Sequence, residues 1–133
     1  MILEPKVRAF LGEKRFAVLA TLNDDGTPQL TVMWYELRGD TIMMNTRLSR
    51  VKGKNLQRDP RISVCVEDGG RFVTIARTAR VDADPATAQA DIRALAIRYD
   101  GEEEGVREAE ETFSRQDRVS IYLPVTKVIA KDI

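Results

Sequence analysis

Apolar residues come along this chain in short bursts, and the spacing within each burst separates strands from helices. In residues 4–14, Val7, Phe10 and Leu11 follow the i, i+3, i+4 rhythm of one helical face. Residues 16–22 (FAVLATL) form a compact apolar run suited to a buried strand. Asn23-Asp24-Asp25-Gly26 is a strong turn signal and residues 29–37 (QLTVMWYEL) resume strand character, so the two runs read as a β-hairpin. Gly39-Asp40 turns the chain into a third strand at 41–46 (TIMMNT), completing a meander. Residues 50–57 then suit a short helix with Ser49 as its N-cap. Asp59-Pro60 stops that helix, because proline disfavours a helical conformation in the residue before it.

The second half begins with a strand at 62–67 (ISVCVE), a turn at Asp68-Gly69-Gly70 and a long strand at 72–81 (FVTIARTARV). In that strand Phe72, Thr74, Ala76, Thr78 and Arg80 share one face, and Val73, Ile75, Arg77, Ala79 and Val81 the other. Neither face is wholly apolar, which calls for a bend or a partner chain. Asp84-Pro85 opens a helix reaching about Tyr99, with Ile92, Leu95, Ala96 and Tyr99 on one face. Gly101 breaks it, and a second helix is expected at 105–115 with Val106, Ala109 and Phe113 inward. Residues 118–130 (RVSIYLPVTKVIA) close the chain as a strand in which Pro124 implies an edge position or a bulge. Six strands arriving in runs predict a mainly antiparallel sheet. Closing them into a β-barrel with peripheral helices removes the sheet edges.

Composition narrows the class. A chain of 133 residues suits one domain, and a charged fraction of 32% with 43% apolar residues is that of a soluble globular protein. No apolar run approaches the roughly 20 residues needed to span a bilayer, and the N-terminal MILEPKVRAF lacks a signal-peptide layout. A single cysteine permits no internal disulfide, so the expected setting is the cytoplasm. Cys65, in an apolar run, is expected to pack as a small hydrophobe. The absence of histidine removes Ser-His-Asp and Cys-His nucleophiles and any His-based metal site. No metal is expected, and enzymatic chemistry would have to come from a bound cofactor.

Charge singles out one segment. The chain carries 21 basic and 21 acidic residues, yet Arg47, Arg50, Lys52, Lys54, Arg58 and Arg61 stand against only Asp59, a local charge of +5. Basic side chains around the free N–H groups of a helix start, with no acid to neutralise them, suit a phosphate. A solvated basic helix is the alternative. Nucleic acid is not expected, because the patch is short and the rest of the surface is acidic. Glu102, Glu103, Glu104, Glu108, Glu110 and Glu111 read as a solvated face.

The order of elements, with FAVLATLNDDGTPQLTVMWYE (16–36), SRVKGKNLQRDPRISVCVED (49–68) and FVTIARTARVD (72–82), resembles the pyridoxamine 5′-phosphate oxidase-like split β-barrel superfamily over nearly the whole chain. Ile97-Arg98-Tyr99 is a further match. The pattern K-x-x-N-L-x-x-D-P-R, here Lys52, Asn55, Leu56, Asp59, Pro60 and Arg61, looks most like its branch that uses the deazaflavin coenzyme F-420. The resemblance implies a mainly β, six-stranded antiparallel split barrel with peripheral helices. It also implies a homodimer with cofactor sites at the interface.

By the same resemblance, Arg50 and Lys52 hold the cofactor phosphate with Asn55 near. Pro28, Gln29, Leu30, Thr31, Val32 and Met33 contact the ring and its chain, largely through backbone groups. Asn45, Thr46 and Arg47 reach the ribityl chain or phosphate, and Arg71 and Phe72 close the site from the second protomer. Trp34 is a candidate pocket wall, with core or dimer interface as the other reading. Tyr35, Tyr99 and Arg47 are polar candidates for protonating a substrate, although no dedicated catalytic acid is evident. The implied reaction is hydride transfer to a small electron-poor substrate. The alternatives are an FMN-binding oxidoreductase of the same fold and a non-catalytic flavin or deazaflavin carrier. The glutamate-rich 102–111 segment, if it lay beside the groove, would repel the polyglutamate tail of F-420.

Overall fold

Three of the six expected strands break in two, and each break carries the chain from one sheet to another. The computed structural model describes residues 3–133. Its elements are α1 (Pro5–Gly12), β1 (Ala17–Leu22), β2 (Pro28–Met33), β3 (Glu36–Arg38), β4 (Thr41–Arg47), α2 (Val51–Arg58), β5 (Arg61–Asp68), β6 (Arg71–Thr78), β7 (Arg80–Asp82), α3 (Pro85–Asp100), α4 (Glu102–Glu111), a 3-10 turn (Phe113–Arg115), β8 (Arg118–Pro124) and β9 (Val128–Lys131). The nine strands of the described residues form an antiparallel five-stranded sheet, β2-β1-β5-β6-β9, and an antiparallel four-stranded sheet, β3-β4-β8-β7. The expected single barrel of six strands is therefore two open sheets, consistent with a split barrel. The breaks lie at Trp34-Tyr35, at Ala79 and after Pro124.

Each corner is secured where the ladder stops. Tyr35 is fully buried and its hydroxyl donates to the Leu11 carbonyl at 2.9 Å. The Ala79 N–H donates to the Pro60 carbonyl at 2.8 Å, and the Val125 N–H to the Asp40 carbonyl at 2.8 Å. Pro124 thus ends a central strand at a corner, where its missing N–H is no loss, and does not mark an edge.

One core fills the space between the sheets: Leu19, Val64, Val73 and Ile75 from the first, Ile42, Met44, Ile121 and Leu123 from the second. Helix α1 plugs one end with Val7, Phe10 and Leu11. Helix α3 covers the outer face of the four-stranded sheet, where Ile92 and Leu95 pack on Met43. Its start is capped by Asp84, whose carboxylate accepts from the Thr87 N–H at 3.1 Å. The outer face of the five-stranded sheet has no such layer. Paired residues Val32, Val18, Cys65, Thr74 and Ile129 form one row across it. Val32 and Ile129 are 67% and 69% exposed. Cys65 is accordingly half-buried on this face and not part of the core.

The second acidic helix starts earlier than its glycine suggested. Gly101, at φ 91°, turns the chain, and Glu102, Glu103 and Glu104 occupy the first turn of α4, where acids suit the helix dipole. Gly105 lies within α4 because a side chain there would overlap the backbone of Ile97 on α3. None of the helices in the described residues is long and apolar enough to cross a membrane.

Glu108 faces the α3–α4 junction, and one of its carboxylate oxygens is buried without a partner. Burial, then the adjacent Asp100 carboxylate, with Glu104 adding, push its pKa up to about 7. The folded protein therefore holds a proton that the unfolded chain releases near the ordinary glutamate value, and stability contributed by neutral Glu108 is lost as pH rises through about 7. Thermal melts should show a midpoint that falls between pH 5 and pH 8 on the order of a few degrees. Glu108→Gln should flatten that fall; an unchanged slope would remove Glu108 as its source.

Candidate functional site

The pairing of β4 with β8 places like charges opposite one another. Arg47 is the cross-strand partner of Arg118, on the face that carries Asn45 opposite Ser120 and Met43 opposite Tyr122. Like charges directly opposed on a sheet are unfavourable. Here they sit at the mouth of a pocket of about 250 Å³ that also receives Arg50 and Lys52. No carboxylate lines that pocket. Apolar and aromatic side chains also line it: Val32, Met33, Trp34, Ile92, Leu95 and Phe113. The site thus combines four cations with apolar and aromatic groups.

Helix α2 shapes the cationic part of the site. Its N-cap is Arg50, in extended conformation, one residue later than the Ser49 that sequence suggested. No side chain caps the helix and no acid stands in its first turn, so the leading N–H groups are free. Gly53 brings this turn against the end of β4: a methyl group there would overlap the Arg47 carbonyl oxygen and lie 3.0 Å from that of Leu48. The glycine that weakens the helix in sequence is what permits this close approach.

The electrostatics of the cationic groups are mutually unfavourable. The Arg47 Nε is buried without a hydrogen-bond partner. Burial, then Arg47 and Arg50, bring the Arg118 pKa down to about 10. Burial, then Arg50 and Arg118, also lower that of Lys52, whose Nζ donates to the Thr31 hydroxyl at 3.4 Å. Arg118 is held by neutral groups: Nε donates to Asn45 Oδ1 at 2.7 Å, another nitrogen donates to Gln116 Oε1, and its guanidinium lies 4.9 Å from the Phe113 ring centroid. A phosphate suits such a set of cationic donors.

Of the site residues expected from sequence, Val32, Met33, Asn45, Thr46, Arg47, Arg50 and Lys52 line this one pocket, as does Trp34. Thr31 reaches it through Lys52. Pro28, Gln29 and Leu30 lie farther along β2, an edge strand; Pro28 borders a separate recess and Leu30 is exposed. Asn55 points the other way: its Nδ2 donates to Thr21 Oγ1 and Asn23 Oδ1, each at 3.0 Å, which ties α2 to β1. Arg71 and Phe72 are absent from the pocket lining; Arg71 donates to Asp68 at 2.6 Å beside the Phe10 ring. The glutamates of α4 do not line the pocket. Tyr35 is a corner residue whose pKa burial pushes up to about 12, and Tyr99 is stacked between Trp34 and Phe16, its hydroxyl donating to backbone carbonyls.

Sequence reasoning missed Arg118, Gln116, Ile92, Leu95 and Phe113 as site residues. Ile92, Leu95 and Phe113 were legible only as helix-face apolar positions. A signal for Arg118 existed in RVSIYL, where Arg118, Ser120 and Tyr122 alternate with Val119, Ile121 and Leu123.

A model of the pyridoxamine 5′-phosphate oxidase family matches residues 3–131. The structure is similar to that of Rv2991, a conserved hypothetical protein from Mycobacterium tuberculosis, at 27% identity over 99% of this chain and 86% of that one, with a TM-score of 0.83. It is also similar to an F-420 reductase, at 24% identity over 92% of this chain and 94% of that one, TM-score 0.72. A third is the heme storage protein HutZ from Vibrio cholerae, at 19% identity over 98% and 96%, TM-score 0.71. At those identities the last two speak to the fold alone.

Gly53→Ala gives a test of the α2–β4 contact. In an exposed helix the change would stabilise by roughly 1 kcal/mol. Here overlap with the Arg47 carbonyl should instead destabilise by about 1–3 kcal/mol in chemical denaturation. A gain in stability would show that the two segments are free to separate.

Proposed function

This chain belongs to the pyridoxamine 5′-phosphate oxidase family, and on that footing we propose that it is a homodimeric, cytoplasmic oxidoreductase that uses coenzyme F-420 to reduce a small, electron-poor substrate. The observation that carries the reading is the opposition of Arg47 and Arg118, joined by Arg50 and Lys52, in a pocket that also presents apolar and aromatic side chains. That combination fits a cofactor that carries both a phosphate and a planar ring. The orphaned Arg47 Nε is the donor that such a phosphate would satisfy. When bound, the deazaflavin supplies a two-electron hydride donor. Arg47, Arg50, Lys52 and Arg118 would hold the phosphate, while Val32, Met33 and Trp34 would exclude water and orient the ring.

The name of the F-420 reductase supports the choice of coenzyme. FMN has the same phosphate-and-ring combination, so it is the competing outcome of the test. A heme-binding role, suggested by the name of HutZ, is disfavoured because the chain has no histidine and neither its cysteine nor a tyrosine lines the pocket. The cytoplasmic setting rests on the single cysteine. The homodimer is supported by the uncovered row on the five-stranded sheet. Val32 belongs both to that row and to the pocket, so a second copy seated there would border the cofactor. Arg71 and Phe72, remote from their own pocket, are the residues we assign to the partner's.

The chain has one tryptophan, Trp34, and it lines the pocket, so its fluorescence reads occupancy directly. Titration should quench it with F-420 at lower concentration than with FMN. Arg50→Ala with Lys52→Ala should weaken that binding at least about tenfold without changing the melt, since each charge-assisted bond contributes roughly 1.5–3 kcal/mol. Preference for FMN would move the function to flavin chemistry, and binding of neither would end the proposal.

Light scattering at micromolar concentration should report a dimer, and Val18→Lys, beside Val32 in the exposed row, should yield a folded monomer. A monomeric parent protein would exclude a site completed by a second copy.

A further inference from the structure

Arg118 is a half-buried guanidinium among other cations, and a carboxylate stands close by on the same side of the sheet, yet the two do not pair. Asp91 on α3 is 4% exposed and gives one oxygen to Arg38 Nη1 at 2.7 Å. Its other oxygen accepts from Ser120 Oγ at 2.6 Å and from the Tyr122 hydroxyl. Between Asp91 and Arg118 the chain interposes Asn45 and Ser120, direct cross-strand partners. Asn45 Nδ2 donates to Ser120 Oγ at 3.3 Å and to the Ala88 carbonyl at 2.9 Å, and Asn45 Oδ1 accepts from Arg118 Nε at 2.7 Å.

The direction of every bond in this line is forced. The Ala88 carbonyl can only accept and Arg118 Nε can only donate, so the Asn45 amide has one orientation. An ionised Asp91 can only accept, so the Ser120 hydroxyl donates to it and leaves its lone pairs to Asn45. All donors therefore point from Arg118 toward Asp91, an arrangement in which each bond polarises the next. A carboxylate at position 45 would hold Arg118 equally well but cancel the charge the pocket needs. The neutral amide holds the guanidinium in place and leaves its charge to the pocket.

We infer that Asn45, Ser120 and Asp91 are positioning residues: a one-way line of hydrogen bonds, anchored on α3, that fixes Arg118 for an anion without neutralising it. Asn45 borders the pocket, but its amide is bonded on both sides and it is 5% exposed, so its action on the ligand runs through Arg118. The inference rests on the reading of the pocket as a phosphate site. Beyond Asn45 it adds two residues, Asp91 of α3 and Ser120 of β8, neither of which lines the pocket.

The test compares ligands with the same ring, with and without phosphate: F-420 against its phosphate-free deazariboflavin, and FMN against riboflavin, each followed by Trp34 quenching. The readout is the affinity ratio within a pair. Arg118→Ala should lower that ratio about tenfold, the size of one charge-assisted hydrogen bond. Ser120→Ala, which cuts the line but spares the bonds of Asp91 to Arg38 and Tyr122, should lower it several-fold, as should Asp91→Asn. Ser120→Ala combined with Arg118→Ala should be no worse than Arg118→Ala alone, because the two act through one group. A merely structural role would weaken both members of each pair alike and would add in the double variant, and that result overturns the inference. If Arg118→Ala lowers the ratio and neither Ser120→Ala nor Asp91→Asn does, the line is overturned and the anion pocket stands. If no variant moves the ratio, or the parent protein binds none of the four, the anion pocket itself fails and the line with it. Should Asp91→Asn not fold, Ser120→Ala decides.

Discussion

The seven-residue pairing of β4 with β8 is the constraint from which the rest of the molecule follows. Because side chains alternate across a sheet, one register sets both faces at once. Ile42, Met44, Ile121 and Leu123 enter the core, while Asn45, Arg47, Arg118 and Ser120 turn toward α3 and the pocket. A slip of one strand by one residue would put guanidinium groups among leucines and isoleucines and leave methionine at the pocket. Burial of a single unpaired charge costs more than any one contact here returns. The apolar requirement of the core therefore enforces the polar arrangement of the site, including the unfavourable opposition of Arg47 and Arg118.

That opposition is supported from several directions. Gly53 lets α2 close on the end of β4, Asn45 and Gln116 grip Arg118, and Phe113 faces the same guanidinium. The cations come from β4, the start of α2 and β8, held together by sheet, helix and turn. Their mutual repulsion is a local expense that a rigid frame sustains, as happens where a binding site is built in advance of its ligand.

What could be read from sequence was whatever is encoded locally. The Asn23–Gly26 turn announced the β1–β2 hairpin, Asp84-Pro85 announced α3, and the basic segment 47–61 contained Arg47, Arg50 and Lys52, which line the pocket. The corners were not legible in that way. At Trp34-Tyr35 and at Ala79 no glycine or proline marks a break; the strand leaves one sheet and the next positions pair in the other. The uneven faces of residues 72–81 were the one trace of this, and they did signal a bend. Arg118 lay beyond reach for a related reason. It lies 71 positions after Arg47, and only the β4–β8 register joins them. Asn55 shows what a motif leaves unsaid: its pattern was legible, but the bonds of its amide to Thr21 and Asn23, which fasten α2 to β1, were not.

Val32 has a consequence of a thermodynamic kind. Its side chain is at once a wall of the pocket and the end of the uncovered row on the five-stranded sheet. Anything that settles on that face alters the pocket's wall, and anything that fills the pocket alters the face. Two equilibria that share a surface cannot be independent: whatever free energy one lends the other is returned in equal measure. For the dimer and cofactor proposed above, occupancy and association at this edge would be reciprocal variables, and the concentration of the protein itself would be one of the determinants of how tightly it holds its ligand.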